Sequence, residues 1–276
     1  SALFQSWGSI TIINPLEKIW NGYSDTRMGA SMDSYLNGYN DPRLPVYFQP
    51  VTEGDNKGEY RGVANGMPNP QQDDYKAMSA PNVQEKSTDS PLRWMMASEV
   101  AFLRAEGAMR GWTAEMGGTA EEFYNKGIEL SFLENGLSAD AAARYAADET
   151  SKPTDFTDVS AANTKYNISA LGKITIKWNA GASEEEQLER IITQKWIAMF
   201  PNGTEAWSEF RRTGYPLIFP VRSNYPTSGV DTNKQIRRMV FPQSEYSNNG
   251  AAVQEAVKLL GGPDNGGTKL WWDKKN

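Results

Sequence analysis

The stretch MMASEVAFLRAEGAMRGWTAEMGGTAEEFYNKGIELSFLEN, Met95 to Asn135, constrains the fold more than any other part of the chain. Its pattern predicts two helices joined by a glycine turn. In the first, from about Ala97 to Arg110, Val100, Leu103 and Gly107 recur at i, i+3 and i+7, with Ala101, Ala105 and Ala108 as small neighbours. One face is therefore apolar and partly flat. The second opens with Thr119-Ala120-Glu121-Glu122, in which the Thr119 hydroxyl can accept the Glu122 N–H while the Glu122 carboxylate reaches back. Phe123, Ile128 and Phe132 fall near one stripe, and Gly136 is a C′ stop. A tetratricopeptide unit has this design: an alanine and glycine face on the first helix receives aromatic residues from the second. One such hairpin cannot bury both its faces. Val100, Leu103, Phe123 and Phe132 are expected to pack partly on a helix near 183–200, leaving an apolar flank exposed or covered by further chain.

The rest follows in order. The chain opens on apolar residues without a helix-start signal, as if inside a larger fold. Asn14-Pro15 starts a helix with Leu16, Ile19, Trp20 and Tyr23 at helical spacing, and Met28, Met32, Tyr35 and Leu36 continue the pattern toward Gly38. Asn40-Asp41-Pro42 breaks it. Leu44 to Pro50 suits an edge strand or a loop, and residues 51–89 form a long segment without period whose spaced aromatics argue for order. After the hairpin, Ser138 caps an alanine-rich helix to about Ala147. Ile174, Ile176 and Trp178 alternate, which predicts a short strand. Ser183 to Glu186 is a second capping box, before a stripe of Leu188, Ile191, Ile192, Trp196 and Met199. Thr204 is expected to cap the next helix, which Gly214 closes. Ile236 to Phe241 suits a strand, and Asn249 starts a final helix through Leu260. The fold class is mainly α, with long ordered loops and a few short strands.

Composition excludes chemistry more than it specifies it. The 276 residues include no cysteine and no histidine, which removes disulfides, thiolate nucleophiles, the commonest general base and the commonest metal ligand. Paired carboxylates, lysine and tyrosine remain. A net charge of −6 and a pI near 5.0, with no basic run, argue against nucleic acid as a partner. No apolar run approaches the ~20 residues of a membrane span, no signal peptide is visible, and the chain as given is expected to be soluble. Nine Trp, twelve Tyr and ten Phe beside many Asn and Gly suit loops that carry flat side chains, as on carbohydrate-binding surfaces. No cofactor is expected. Calcium at Asp55, Asp73 and Asp74 lacks the spacing of a loop site.

Four stretches carry a resemblance that spans nearly the whole chain: GYNDPRLPVYF at 38–48, WMMASEVAFLRAEGAMRGW at 94–112, LERIITQKWIAMFPNGTEAWSEFRRTGYP at 188–216 and IRRMVFPQSEYSNN at 236–249. The sequence resembles the C-terminal portion of SusD/RagB-like lipoproteins, nutrient-binding surface proteins of glycan-uptake systems. The resemblance implies one SusD-like domain over 1–276, with a loop-rich segment at 1–93, the hairpin and following helix at 94–148, and helices and loops at 149–276. It also implies an N-terminal lipoprotein and repeat region as a further partner of this chain. Anchoring at the outer face of the outer membrane, through an N-terminal cysteine absent here, is implied in the same way. So is capture of an oligosaccharide or polysaccharide for a SusC-like TonB-dependent transporter.

Sugar C–H faces stack on aromatic planes while Asn, Asp, Gln and Arg satisfy hydroxyls. Two segments offer both. WNGYSDTR supplies Trp20, Asn21, Tyr23, Asp25 and Arg27, and the 51–89 loop supplies Tyr60, Arg61, Asn65, Gln72 and Tyr75. For the first, a core helix with a structural arginine is an equal reading; for the second, a loop that only packs on the scaffold is the alternative. Arg211-Arg212 and Arg237-Arg238 are expected to tie coil to helix ends and to carboxylates. The runner-up function is a helical glycoside hydrolase using Glu99 with Glu106 or Glu205 with Glu209.

Overall fold

Helices carry the architecture, and a two-stranded antiparallel ribbon lies beside them. The computed structural model describes residues 2–4, 16, 18–67, 72–82, 92–225 and 228–275. In chain order these form β1 (Ala2–Phe4), α1 (Ala30–Gly38), β2 (Leu92–Met95), α2 (Ala97–Met109), α3 (Ala120–Glu134), α4 (Ala139–Ala146), α5 (Glu184–Ala198), α6 (Gly203–Thr213) and α7 (Gln243–Leu260). Leu3 of β1 stands opposite Arg93 of β2.

The expected hairpin is α2 and α3. Its capping box closes in both directions, with Glu122 N–H donating to Thr119 Oγ1 at 3.2 Å and Thr119 N–H to Glu122 Oε2 at 2.7 Å. Gly136 follows in the left-handed region, φ +74°. The packing direction is the reverse of the expectation. Phe102 of α2 lies on Gly127 of α3, where a Cβ would sit 2.6 Å from the ring. The buried face of α2 is Ala101, Phe102, Ala105 and Ala108, while Val100 and Leu103 remain 44% and 46% exposed. A buried phenylalanine removes more apolar area than valine or leucine would, and so sets the rotation of the helix. Val100 and Leu103 form the uncovered apolar flank.

α5 crosses the hairpin and completes the core. Ser183 caps it from its hydroxyl, accepting Glu186 N–H at 3.3 Å; the Glu186 carboxylate returns to that hydroxyl at 3.5 Å rather than to a backbone N–H. Leu188, Ile191, Ile192 and Ile197 join Phe102, Tyr124, Ile128 and Phe132 in one buried cluster with Tyr35 and Leu36 of α1 and Tyr39 just after it. At its centre sits Arg43, fully buried, paired with Asp41 at 2.6 Å.

Several local expectations are corrected. Ile174, Ile176 and Trp178 are buried in irregular coil with a bend at 176–177 rather than a strand. The Tyr39 hydroxyl donates to Ile174 O and the Tyr124 hydroxyl to Ile176 O, so side chains satisfy carbonyls that a neighbouring strand would have taken. Residues 236–241 are also coil, with Arg237 N–H donating to Gly266 O. Leu44–Tyr47 is a single helical turn with Pro45 in its opening positions. The 16–38 pattern is interrupted: Lys18–Tyr23 is a π-helical turn, Ser24 turns left-handed at φ 55°, and the chain is extended before α1. The Asn14-Pro15 helix start lies outside the described residues. Asn202, not Thr204, caps α6 by accepting Glu205 N–H at 3.2 Å. α7 starts after Pro242, and Asn249 marks a kink inside it.

Candidate functional site

The two predicted binding segments come together through backbone hydrogen bonds. Met28 N–H donates to Ser79 O, Val63 N–H to Met28 O and Ala30 N–H to Val63 O, each at 2.8 Å. Gln49 N–H donates to Ala80 O and Asn82 N–H to Tyr47 O, also at 2.8 Å. A stretch without sequence period is thus ordered by pairing with two other segments.

Side chains lock the same braid. Arg27 donates to Lys76 O from Nε at 3.1 Å and from Nη2 at 2.6 Å. Burial lowers its pKa, which Asp25 partly offsets. Arg61 donates to Thr157 O at 2.6 Å and lies 3.7 Å from Asp33. Burial holds the Asp33 carboxyl above its usual range, although Gly62 N–H and Asn37 donate to it. The Tyr75 hydroxyl donates to Asp158 at 3.0 Å and accepts from Asn163 at 2.7 Å, and burial together with Asp158 pushes it up to about 12. Trp20 is buried and stacked on Phe200, ring centroids 6.0 Å apart. These four residues hold the loops together. Tyr23, Asp25 and Asn65 are exposed, and Tyr60 is half-buried. The side chains of Asn21 and Gln72 lie outside the described residues.

Beside the braid is an open groove of about 580 Å³, lined by Pro45, Phe48, Gln49, Val51, Lys57, Tyr60 and Asn82 among others. Phe48 and Val51 are buried, so the floor is apolar while Gln49, Lys57 and Asn82 supply hydrogen-bonding groups. That combination suits a sugar ring. Only Tyr60 of these is visible as a candidate in the sequence; the others meet through contacts between distant segments. A second groove, about 690 Å³, runs between α3 and α4 over Trp178, with Glu121, Glu129 and Asp140 on its rims.

Three of the four carboxylates considered for hydrolysis are held in ion pairs. Glu106 accepts both Nη atoms of Arg212 at 2.6 Å and Arg110 Nε at 2.9 Å. Burial pushes its pKa up, and the two arginines more than reverse this. Glu205 and Glu209 both accept the buried Lys195 ammonium, at 2.6 and 2.7 Å. Glu99 is half-buried, and burial raises its pKa. The paired arginines have the expected tying roles: Arg237 pairs with Asp273 at 2.6 Å, Arg238 with Asp264, and Arg211 donates to Arg237 O at 2.9 Å. Among the described residues no group of three or more carboxylates is placed to hold a metal ion.

Over residues 2–273 the sequence matches the SusD-like family model, described as Susd and RagB outer membrane lipoprotein. The chain belongs to the SusD-like family. Solved relatives of this SusD-like chain share its fold. A chitin-binding SusD homologue from Flavobacterium johnsoniae is 42% identical, with a TM-score of 0.89 over 99% of this chain and 55% of its own length. A SusD homologue from Bacteroides thetaiotaomicron is 41% identical, TM-score 0.87, over 100% and 56%. One from Bacteroides vulgatus is 38% identical, TM-score 0.89, over 99% and 54%. The chain therefore spans about half the length of these relatives. Among curated proteins nothing matches it. No helix among the described residues of the SusD-like chain is long and apolar enough to cross a membrane.

Proposed function

We propose that this SusD-like chain binds glycan without catalysis at the bacterial surface, in the groove beside Tyr60, for delivery to a SusC-like TonB-dependent transporter. The observation that carries the reading is that groove: an apolar floor of Phe48 and Val51, with Tyr60 and amide side chains on its walls. The chitin-binding relative at 42% identity makes N-acetylglucosamine oligomers the first ligand to try. The lipoprotein description of the family supports an outer-membrane location. Ion-paired Glu106, Glu205 and Glu209 support a binding role over hydrolysis.

Affinity for chitohexaose, measured by titration calorimetry, tests it. The chain is expected to bind, Tyr60→Ala to weaken binding about fivefold, the size of one lost stacking contact, and no reducing ends to be released. Equal affinity in Tyr60→Ala would move the site elsewhere, and steady release of reducing ends would overturn the non-catalytic reading.

A further inference from the structure

The helical turn Leu44–Tyr47 borders the groove and also a second, much smaller pocket. Pro45 and Phe48 line the groove, while Val46 and Tyr47, the residues between them, line the pocket. Asn82 lines both cavities. Its N–H donates to Tyr47 O at 2.8 Å and its side-chain amide to Pro45 O at 3.2 Å, so the same turn fixes it at the boundary. The groove floor and the pocket wall also touch: the centre of the Phe48 ring is 5.0 Å from that of Phe200, which lines the pocket.

The pocket holds about 10 Å³, room for one group the size of a water or a methyl. Part of its wall is aromatic. Trp20 stacks on Phe200 at 6.0 Å, and the Tyr47 ring lies 4.9 Å from the same ring. The rest is polar and preset. Asn135 is buried, and its amide nitrogen donates to Ser131 O at 2.7 Å and to the Tyr47 hydroxyl at 3.2 Å. Its amide oxygen therefore faces Arg93, which donates to it from both Nη atoms at 3.3 Å, and from Nη2 to Glu134 O at 3.3 Å. These acceptors are neutral, and all three bonds are longer than an ordinary N–H···O contact. A half-buried guanidinium held this loosely has donor capacity left for a nearer oxygen. Among the described residues no carboxylate lines either cavity.

We infer that this pocket is the acetamido subsite of the groove. A sugar ring lying on Phe48 and Tyr60 sends its acetamido arm past Asn82; the methyl meets Trp20 and Phe200, and the carbonyl oxygen accepts from Arg93. The inference rests on the glycan reading and narrows it to polymers of N-acetylated hexosamine. A plain hydroxyl leaves the aromatic wall unfilled. An ammonium, as in deacetylated glucosamine, meets Arg93 with no carboxylate to offset it.

Calorimetric titration with chitohexaose, cellohexaose and the fully deacetylated glucosamine hexamer tests the subsite. Chitohexaose is expected to bind about tenfold tighter than either of the others, the discrimination a pocket for one small group provides. Val46→Phe, which fills the pocket, and Arg93→Gln, which removes its cation, should bring the ratio of chitohexaose to cellohexaose affinity close to unity. Tyr60→Ala should weaken both ligands and leave that ratio in place. In NMR spectra of the unaltered chain, acetyl methyl protons of bound chitohexaose should move upfield in the ring currents of Trp20 and Phe200. If chitohexaose binds no tighter than cellohexaose, or if the ratio survives in both variants with thermal unfolding like the wild type, this inference falls and the groove reading stands. Should both variants unfold early, the methyl resonance decides, and an unshifted methyl overturns the subsite. If no glycan binds, both readings fall.

Discussion

Arg43 is fully buried, and donors on each of its three nitrogens are taken: Nε and Nη2 by Asp41 at 2.9 and 2.6 Å, Nη1 by the Ser131 hydroxyl at 2.9 Å, and Nη2 also by Gln194 at 3.0 Å. The ring of Phe132 lies 5.1 Å from its guanidinium carbon. One side chain thereby ties the coil after α1 to α3 and α5. Arg43→Ala leaves the Asp41 carboxylate buried without its counter-ion, with the Tyr145 hydroxyl still donating to it at 2.7 Å, so we expect a loss of about 3–5 kcal/mol in urea unfolding; a loss under 1 kcal/mol would mean that Asp41 reaches water or a further donor. Glu189 poses the opposite case. Its Oε1 is buried without a hydrogen-bond partner among the described residues, and burial pushes the carboxyl up to about 7. A folded pKa above the unfolded one contributes stability at low pH that is lost as pH rises from the ordinary carboxylate range to about 7. Glu189→Gln should therefore gain stability relative to wild type at about pH 8, by about 2 kcal/mol, and not at about pH 4. A difference independent of pH would refute the assignment.

At the scale of elements, the contact between α2 and α3 turns on Gly127. A methyl there would lie 2.6 Å from the Phe102 ring, so Gly127→Ala should destabilise by about 1–3 kcal/mol despite alanine's better helix propensity. Adding Phe102→Leu should recover part of the loss in denaturant midpoints; strictly additive losses would show that the ring is not the obstacle. This pair also marks what the sequence can reveal. The Thr119 and Ser183 caps and the Gly136 and Gly214 stops are local, four-residue devices, and they are legible. The rotation of α2 is not, because it depends on which residue of α3 leaves room for Phe102. Ile174 and Ile176 alternate like a strand, yet their carbonyls are met by tyrosines 135 and 52 residues away. In the candidate site, Tyr60 is legible as an aromatic in a polar loop. The partners of Tyr75, 83 and 88 residues distant, and the groove floor at Phe48 have no local signal.

Across the whole molecule the apolar contacts divide unequally. One large cluster joins α1, α2, α3 and α5. Two small ones, Val51 with Tyr75 and Met78, and Ala64 with Phe156, Tyr166 and Phe219, are formed by the loop segments. Less buried area means a lower free energy of local opening. In hydrogen exchange, amides of α2, α3 and α5 should therefore open only with global unfolding. Met28, Gln49 and Val63, whose N–H groups bridge loop segments, should exchange through smaller openings. A ligand that binds only the closed loops stabilises them by mass action, so saturating chitohexaose should slow this second set and leave the slowest helical amides unchanged. If all amides slowed together, the loops and helices would form one cooperative unit. Binding energy would then be distributed over the whole scaffold rather than used to close the loops around sugar.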